Sequence, residues 1–151
     1  MKIEYKHATV EDANTLVEIY NRSFYKDYVR FGECPAYGRS IEQMEESIKN
    51  YPKQIILYDN QPVGVISVEN KGNGNYYLGC LCVIPEYQGK GIGSKAVKHF
   101  LEEKNDWKRV ELVTPVEKKE NVKFYTQKCG FSLGETEMDG KVQVVQFYME
   151  R

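Results

Sequence analysis

The chain has 151 residues, a length that suits one compact domain, and we predict a single domain over residues 1–151. Hydrophobic residues make up 41% and charged residues 28%, a balance typical of globular proteins with a buried core. Lys and Arg total 21 against 22 for Asp and Glu, which argues against a protein that coats nucleic acid, because that function favours a basic excess.

Other features of the sequence exclude further classes of protein. No apolar run approaches the roughly 20 residues of a membrane-spanning helix, and residues 1–13 lack the apolar stretch of a secretory signal. The four cysteines lack the spacing of a metal site, so we expect no metal. Cys80 and Cys82 lie two positions apart on a predicted strand, which favours small thiols packed in the core. We therefore expect a cytoplasmic protein that acts without a membrane or a nucleic acid partner.

The first part of the chain predicts one strand and two helices. Residues 3–9, IEYKHAT, are typical of a strand, and the pair Thr9 and Asp12 is typical of a helix start. Residues 25–39 contain two glycines and a proline, which predict a loop rich in tyrosine. Ser40 is the expected N-cap of the second helix.

The rest of the chain alternates hairpins with helices. Apolar segments on either side of residues 59–62, DNQP, predict a hairpin, and residues 70–75, NKGNGN, predict a loop. A strand, a helix, a strand, a short helix and a closing hairpin follow at residues 76–84, 94–104, 109–113, 120–130 and 131–150. The order β-α-α-β-β-β-α-β-α-β-β predicts a mixed α/β fold, with a mostly antiparallel central sheet and helices on both faces.

Residues 85–97, PEYQGKGIGSKAV, place a glycine at every second position before a predicted helix. These are Gly89, Gly91 and Gly93. A helix amino terminus has unpaired N–H groups and partial positive charge, so a turn without side chains in front of it favours an anion such as phosphate. The pattern does not fit the P-loop, in which lysine follows the last glycine, or the dinucleotide fingerprint, whose third glycine is Ser94 here. A turn that binds nothing stays an alternative.

The stretch Val83–Gly93 resembles the signature of the GNAT (Gcn5-related N-acetyltransferase) family. The core of that signature, [RQ]-x-x-G-x-[GA] after a hydrophobic strand, is met by Gln88, Gly91 and Gly93. The resemblance implies an acyl-CoA N-acyltransferase-like fold and acetyl-CoA as co-substrate. It implies that main-chain groups at Cys82 and Val83 guide the pantetheine arm and steady the thioester oxygen. The residues that it places around the diphosphate are Gln88, Gly89, Lys90, Gly91, Ile92, Gly93 and Ser94.

Residues 121–131 resemble a second motif of the family, in which a short helix carries a tyrosine and ends in Gly-Phe. The resemblance implies that Tyr125 is the catalytic acid. A phenol with a pKa near ~10 stays protonated at neutral pH, whereas a thiol with a pKa of about 8.5 leaves as a thiolate that needs a proton. The alternative is a Tyr125 that only packs the helix against the sheet. Many relatives have an asparagine where this chain has Lys118, and Asn121 is the candidate to take over its contact with the coenzyme.

The acceptor side of the site offers fewer signals. The amine must lose a proton before it attacks, yet residues 76–82, where some relatives place the base, contain no carboxylate and no imidazole. We assign no base. Tyr77 is a candidate for part of a water relay, and Glu69 and Glu111 are candidate carboxylates that approach the amine from neighbouring strands. The resemblance implies that the acceptor enters near residues 24–40, whose tyrosines suit an amine with an apolar body. Candidate substrate contacts are Tyr25, Tyr28, Tyr37 and Tyr77.

The sequence therefore favours an enzyme, an acetyl-CoA-dependent N-acetyltransferase that moves the acetyl group directly to the primary amine of a small molecule. Two alternatives stay open: a non-enzymatic sensor that binds acyl-CoA, and acetylation of a protein or peptide amine. Cys82 as a nucleophile that carries the acyl group is a lesser alternative, because strand cysteines are more often inert. The apolar strand at residues 141–149 also leaves a homodimer open.

Overall fold

In the described residues, seven strands and four helices follow one another in the order that the sequence predicts. A computed structural model of the chain describes residues 2–151. The strands are β1 (Ile3–His7), β2 (Lys53–Tyr58), β3 (Gln61–Gly72), β4 (Asn75–Val83), β5 (Arg109–Pro115), β6 (Ser132–Asp139) and β7 (Val142–Glu150). The helices are α1 (Ala13–Phe31), α2 (Ile41–Asn50), α3 (Ile92–Glu103) and α4 (Lys119–Lys123). Within residues 2–151, no helix combines the length and the apolar composition that crossing a membrane requires.

The strands form one mixed sheet in the order β1-β2-β3-β4-β5-β7-β6. Strands β4 and β5 are parallel over Asn75–Tyr77 and Arg109–Glu111, whereas β1–β2, β2–β3, β5–β7 and β6–β7 pair antiparallel. The predicted mixed, mostly antiparallel sheet is confirmed. Strand β7 has a partner on each edge, so the idea that this strand pairs with a second chain is wrong. The homodimer itself stays a prediction.

Contacts within the chain divide it into two compact units. The first unit holds the residues up to Val68 together with residues 79–93, and the second unit holds residues 69–78 and 94–151. The single domain over residues 1–151 stays a prediction. Fully buried side chains include Leu16, Tyr20, Met44 and Ile56 in the first unit, and Val110 and Phe147 in the second.

Helix α1 is longer than the sequence predicts. Residues 25–31 were expected to lie in a loop, but they continue the helix as far as Phe31. No glycine or proline interrupts the helix before Gly32, which has a φ of +77° and donates its N–H to the carbonyl of Tyr28 at 2.9 Å. Such a left-handed glycine is a common helix end. Tyr25 and Tyr28 therefore lie on a helix, and only Tyr37 of the three candidate tyrosines lies in the loop before α2.

The loop expected at residues 70–75 is mostly strand. Strand β3 runs to Gly72 and β4 starts at Asn75, so the connection is the two-residue turn Asn73-Gly74. The φ values of these two residues are +56° and +81°. Asn-Gly is the pair that a tight hairpin turn of this kind favours, because both central residues need positive φ.

The predicted helix starts are confirmed where a side chain caps the backbone. Ser40 Oγ accepts a hydrogen bond from the Gln43 N–H at 3.0 Å, and Gln43 Oε1 accepts one from the Ser40 N–H at 2.9 Å. At the first helical turn, the Asp12 carboxylate accepts a hydrogen bond from the Thr9 N–H at 2.9 Å. Each arrangement is a capping box, which satisfies main-chain donors that the helix leaves unpaired.

Gly64 on β3 lets β4 approach closely. A Cβ atom at this position would lie 2.4 Å from the carbonyl oxygen of Cys82. We expect Gly64→Ala to lower the free energy of unfolding by about 2–3 kcal/mol, because a backbone atom cannot move aside as a side chain can. Urea unfolding measures the change. Gly32→Ala is the control, since open space surrounds Gly32 and only its positive φ resists a side chain; an equal loss in both variants would contradict the close approach.

Candidate functional site

The glycine turn lies between the end of β4 and the start of α3. The Ile84 N–H donates to the Val63 carbonyl at 2.8 Å, and a short 3-10 turn over Pro85–Tyr87 leads into exposed residues 88–91. Gly89 and Gly91 have φ values of +79° and +81°, a region that favours glycine. A Cβ atom on Gly89 would meet nothing within 4 Å. The turn therefore presents exposed main chain, with glycine at two of its four residues, directly before a helix of three turns.

The side chains of Gln88 and Ile92 hold the turn in place. Gln88 Nε2 donates to the carbonyl of Val83 at 2.8 Å, which ties the turn back to the strand. Ile92, the first residue of α3, is 1% exposed and anchors the helix start. Lys90 is exposed between the glycines and adds a positive charge. Chain continuity brings together the predicted residues Cys82, Val83, Gln88, Gly89, Lys90, Gly91, Ile92, Gly93 and Ser94.

Tyr125 lies in a π-helical turn in the second unit. The Cys129 N–H donates to the Phe124 carbonyl at 3.1 Å, which is the five-residue spacing of a π turn. Single π turns inside helices occur frequently at functional sites. Tyr125 is 8% exposed, and its ring contacts three aromatic rings with centroids 5.0, 5.9 and 5.5 Å away, those of Phe124, Phe131 and Phe147. The sequence predicts an ordinary helix here and does not reveal this turn.

Asn121 fixes the short helix that precedes Tyr125. Its Nδ2 donates to Thr114 Oγ1 at 3.0 Å, and Thr114 is buried on β5. Lys118, where the family resemblance implies an asparagine, precedes α4 and makes no side-chain cap there. Asn121 therefore holds α4 against the strand, and its contact with the coenzyme stays a prediction.

Tyr77 lines an acidic cavity of about 420 Å³ within the second unit. Burial, followed by the nearby carboxylates, raises the pKa of the Tyr77 phenol, so the hydroxyl stays protonated. Of the two sequence candidates, Glu111 lines the same cavity, and Glu69 is not among its lining residues although its charge also acts on the Tyr77 phenol. Sequence reasoning missed the two other acids of the cavity, because they come from distant strand β6 and carry no local motif. They are Glu137 and Asp139.

The three candidate tyrosines of the first unit form one aromatic surface. The rings of Tyr28 and Tyr37 stack with centroids 4.6 Å apart and planes 19° apart, and the Tyr25 ring lies 6.0 Å from that of Tyr37. The Gly38 N–H donates to Asn21 Oδ1 at 2.9 Å, which fastens the loop to α1. Tyr25 and Tyr28 are exposed, so this surface is accessible to an apolar ligand.

The cysteines differ in their surroundings. The neighbouring Cys80 thiol, together with burial, holds the pKa of Cys82 well above its usual range, so Cys82 is neutral and unsuited to carry an acyl group. Burial raises the pKa of Cys129 to about 11. Within residues 2–151, no cluster of three or more His, Cys, Asp or Glu residues has the arrangement of a metal site.

The chain is similar to several known proteins. A family model described as the acetyltransferase (GNAT) family matches residues 13–131. The chain is 39% identical over 125 residues to the uncharacterized protein YrkN of Bacillus subtilis, covering 80% of this chain and 61% of that protein. It is 26% identical over 106 residues to the S-alkylcysteine N-acetyltransferase of the same species, covering 66% of this chain and 59% of that protein. The chain thus spans about three fifths of the length of these two relatives.

The solved structures show a shared fold. The paia N-acetyltransferase from Thermoplasma acidophilum, in complex with coenzyme A, matches with a TM-score of 0.75. The match covers 97% of this chain and 98% of that chain at 22% identity.

Proposed function

Because this chain belongs to the acetyltransferase (GNAT) family, we propose that it moves the acetyl group of acetyl-CoA directly to the primary amine of a small molecule. The observation that carries the proposal is the exposed glycine turn, with Gly89 and Gly91 at positive φ immediately before α3. Main-chain N–H groups at a helix start bind phosphate without any special side chain. The turn therefore fits the diphosphate of coenzyme A, a ligand present in the Thermoplasma neighbour.

The proposed coenzyme contacts follow the chain from β4 into α3. Main-chain groups of Cys82 and Val83 hold the pantetheine arm, and Gln88 keeps its bracing contact with the Val83 carbonyl. The exposed main chain of the turn meets the diphosphate, and Lys90 adds a positive charge beside it. The full set is Cys82, Val83, Gln88, Gly89, Lys90, Gly91, Ile92, Gly93 and Ser94, with Asn121 as a further contact.

The chemistry that acetyl-CoA supplies is a thioester, which an amine attacks at its carbonyl carbon. A main-chain N–H at Val83 steadies the negative charge that develops on the carbonyl oxygen. Tyr125 gives its phenol proton to the departing sulfur, as the general acid of the reaction. Three aromatic rings hold Tyr125 in one orientation, and such positioning supplies much of the catalysis in a direct transfer.

Tyr77 serves the acceptor side as part of a water relay. Its raised pKa keeps the hydroxyl protonated, so it passes a proton along and does not itself act as the base. The carboxylates in the same cavity attract positive charge, which suits a protonated amine. Tyr25, Tyr28 and Tyr37 are the proposed contacts for the apolar body of the acceptor.

A thiol-release assay with a panel of amines, polyamines, amino acids and peptides tests the function. We expect acetyl-CoA to bind by calorimetry and at least one small primary amine to release coenzyme A. The S-alkylcysteine N-acetyltransferase among the relatives supports a small acceptor. Binding without turnover of any member of the panel would favour the sensor alternative, and turnover of peptides alone would favour a protein substrate. No heat with acetyl-CoA would overturn the proposal.

A further inference from the structure

Lys53 is a buried lysine that has no acidic partner within residues 2–151. It is the first residue of β2 and is 5% exposed. Its Nζ donates to Ser67 Oγ at 3.3 Å and lies 5.8 Å from the centre of the Tyr51 ring. Burying an ammonium is costly unless an opposite charge accompanies it. Burial lowers the pKa of Lys53 accordingly.

A second cation, Arg39, lies close to Lys53. Its guanidinium lies 5.4 Å from the centre of the Tyr20 ring and donates through one terminal nitrogen to Ser47 Oγ at 3.2 Å. The charge of Arg39 further lowers the pKa of Lys53, so the two cations repel each other. Across the part of the chain that the structure describes, no carboxylate pairs with either cation. The first unit therefore holds two like charges together in a largely buried place.

The polar groups beside these cations do not neutralise them. Lys53 is directly opposite Ser67 in the β2–β3 register. The hydrogen bond from the Ile84 N–H to the Val63 carbonyl shows that these two residues lie opposite each other. Counting back from this pair along β4 and forward along β3 places Cys80 opposite Ser67. These three side chains thus follow one row across three strands. The Tyr20 hydroxyl reaches this row from α1 and lies beside Cys80. Within residues 2–151 it makes no hydrogen bond of ordinary geometry, although Tyr20 is 2% exposed.

With Arg39 and Lys53 both charged, the cluster keeps a net positive charge in either state of Cys80. Cys82, followed by Tyr20, Lys53 and Arg39, lowers the pKa of Cys80 against the effect of burial. A thiolate at Cys80 would balance one of the two cations, and a neutral thiol would balance neither. With Lys53 charged, at least one positive charge therefore lacks a counter-ion, and the Tyr20 hydroxyl lies in the same cluster as a hydrogen-bond donor.

We propose that Arg39, Lys53 and the Tyr20 hydroxyl bind a carboxylate of the acceptor, so that the acceptor is an amine that also carries a carboxylate, as an α-amino acid does. The inference rests on the proposed acetyl transfer. A guanidinium matches a carboxylate with two parallel hydrogen bonds, and the buried ammonium adds a second charge-assisted bond. Cys80 lies three positions before Val83 on the same strand, which places this cluster close to the proposed thioester site.

Matched pairs of an α-amino acid and its carboxamide, such as L-methionine and L-methioninamide, test the charge requirement. With saturating acetyl-CoA, we expect the acid of an accepted pair to show at least a tenfold higher kcat/KM than its amide. Lys53→Met and Arg39→Met should each lower kcat/KM for the acid at least tenfold, through KM, and leave the amide within about threefold. Lys49→Met, at an exposed lysine on α2, is the control and should change neither.

Thermal unfolding gives a readout that does not depend on activity. Methionine has the length of lysine without its charge, so Lys53→Met should raise the melting temperature by at least about 2 °C, whereas Lys49→Met should not. If the charge of Lys53 destabilises the fold and is nevertheless needed for the acid substrate, that charge serves substrate binding. A clear fall in melting temperature for Lys53→Met would overturn the inference, because Lys53 would then stabilise the fold.

The kinetic outcomes separate this inference from the function on which it rests. The carboxylate site would be wrong if the amides were turned over as well as the acids or better. It would also be wrong if a protein that binds acetyl-CoA acetylated only amines that lack a carboxylate. Either result would leave acetyl transfer intact. A variant that slows acid and amide equally would also overturn the carboxylate site. Absence of acetyl-CoA binding in calorimetry would instead remove the proposed function itself.

Discussion

Replacing Gly91 by valine is expected to weaken acetyl-CoA binding at least a hundredfold, which corresponds to about 2.7 kcal/mol. Gly91 lies in the exposed turn directly before α3 with a φ of +81°. In the proposed complex, the main chain of this turn touches the diphosphate, so a branched side chain takes up space that the phosphates need. Isothermal titration calorimetry of the variant measures the loss directly.

The control for Gly91→Val must separate lost space from backbone strain. Gly32→Val offers it, because Gly32 has a φ of +77° and lies at the end of α1, outside the proposed coenzyme contacts. Valine at a positive φ is strained at both positions by roughly 1–3 kcal/mol, so both variants should lose similar stability. Only Gly91→Val should lose acetyl-CoA. Retained affinity in a folded Gly91→Val protein would show that the turn is not the phosphate site.

Tyr125→Phe is expected to lower kcat by roughly 10²–10⁴-fold and to change acetyl-CoA affinity by less than about twofold. The substitution removes only the hydroxyl, since phenylalanine keeps the contacts with the rings of Phe124, Phe131 and Phe147. The loss falls on kcat because a proton donor to the leaving sulfur acts in the transition state and contributes little to binding. Steady-state thiol release, with calorimetry alongside, separates the two effects.

Tyr76→Phe is the matched control within the second unit. Tyr76 is buried, and its hydroxyl donates to the Asp106 carboxylate at 2.7 Å. Removing that hydroxyl should lower the free energy of unfolding by about 1–2 kcal/mol and leave kcat unchanged. If Tyr125→Phe behaves in the same way, with normal turnover and a modest loss of stability, Tyr125 is a packing residue and the acid must be sought elsewhere.

Local chemistry explains which parts of the fold the sequence predicts. The capping box of Ser40 and Gln43 involves residues three positions apart, so the start of α2 can be recognised from the sequence alone. The sequence predicts the end of α1 too early, because the loop that Gly32, Pro35 and Gly38 indicate begins only after Phe31. The turn at Asn73-Gly74 was hidden in a longer polar stretch whose outer residues extend the strands.

Features that depend on distant parts of the chain could not be predicted. Strand register sets Lys53 opposite Ser67, and no local pattern distinguishes this lysine from an exposed one. The same holds for Tyr77 and Glu111, which the parallel β4–β5 register places side by side. The glycine turn, by contrast, is a continuous stretch, so the sequence could predict the candidate coenzyme residues but not the charged groups around the acceptor.

The π-helical turn at Phe124–Lys128 has a consequence for changes in chain length. Such a turn contains one residue more than the α-helical turn that it replaces, so deleting one residue restores ordinary winding without breaking the helix. Each residue advances an α-helix by about 100°, however, so a deletion ahead of Tyr125 would rotate its phenol away from the ring of Phe147 on β7. Surface loops tolerate insertions and deletions readily. In the π-helical turn we expect neither to be tolerated wherever activity depends on the orientation of the Tyr125 ring.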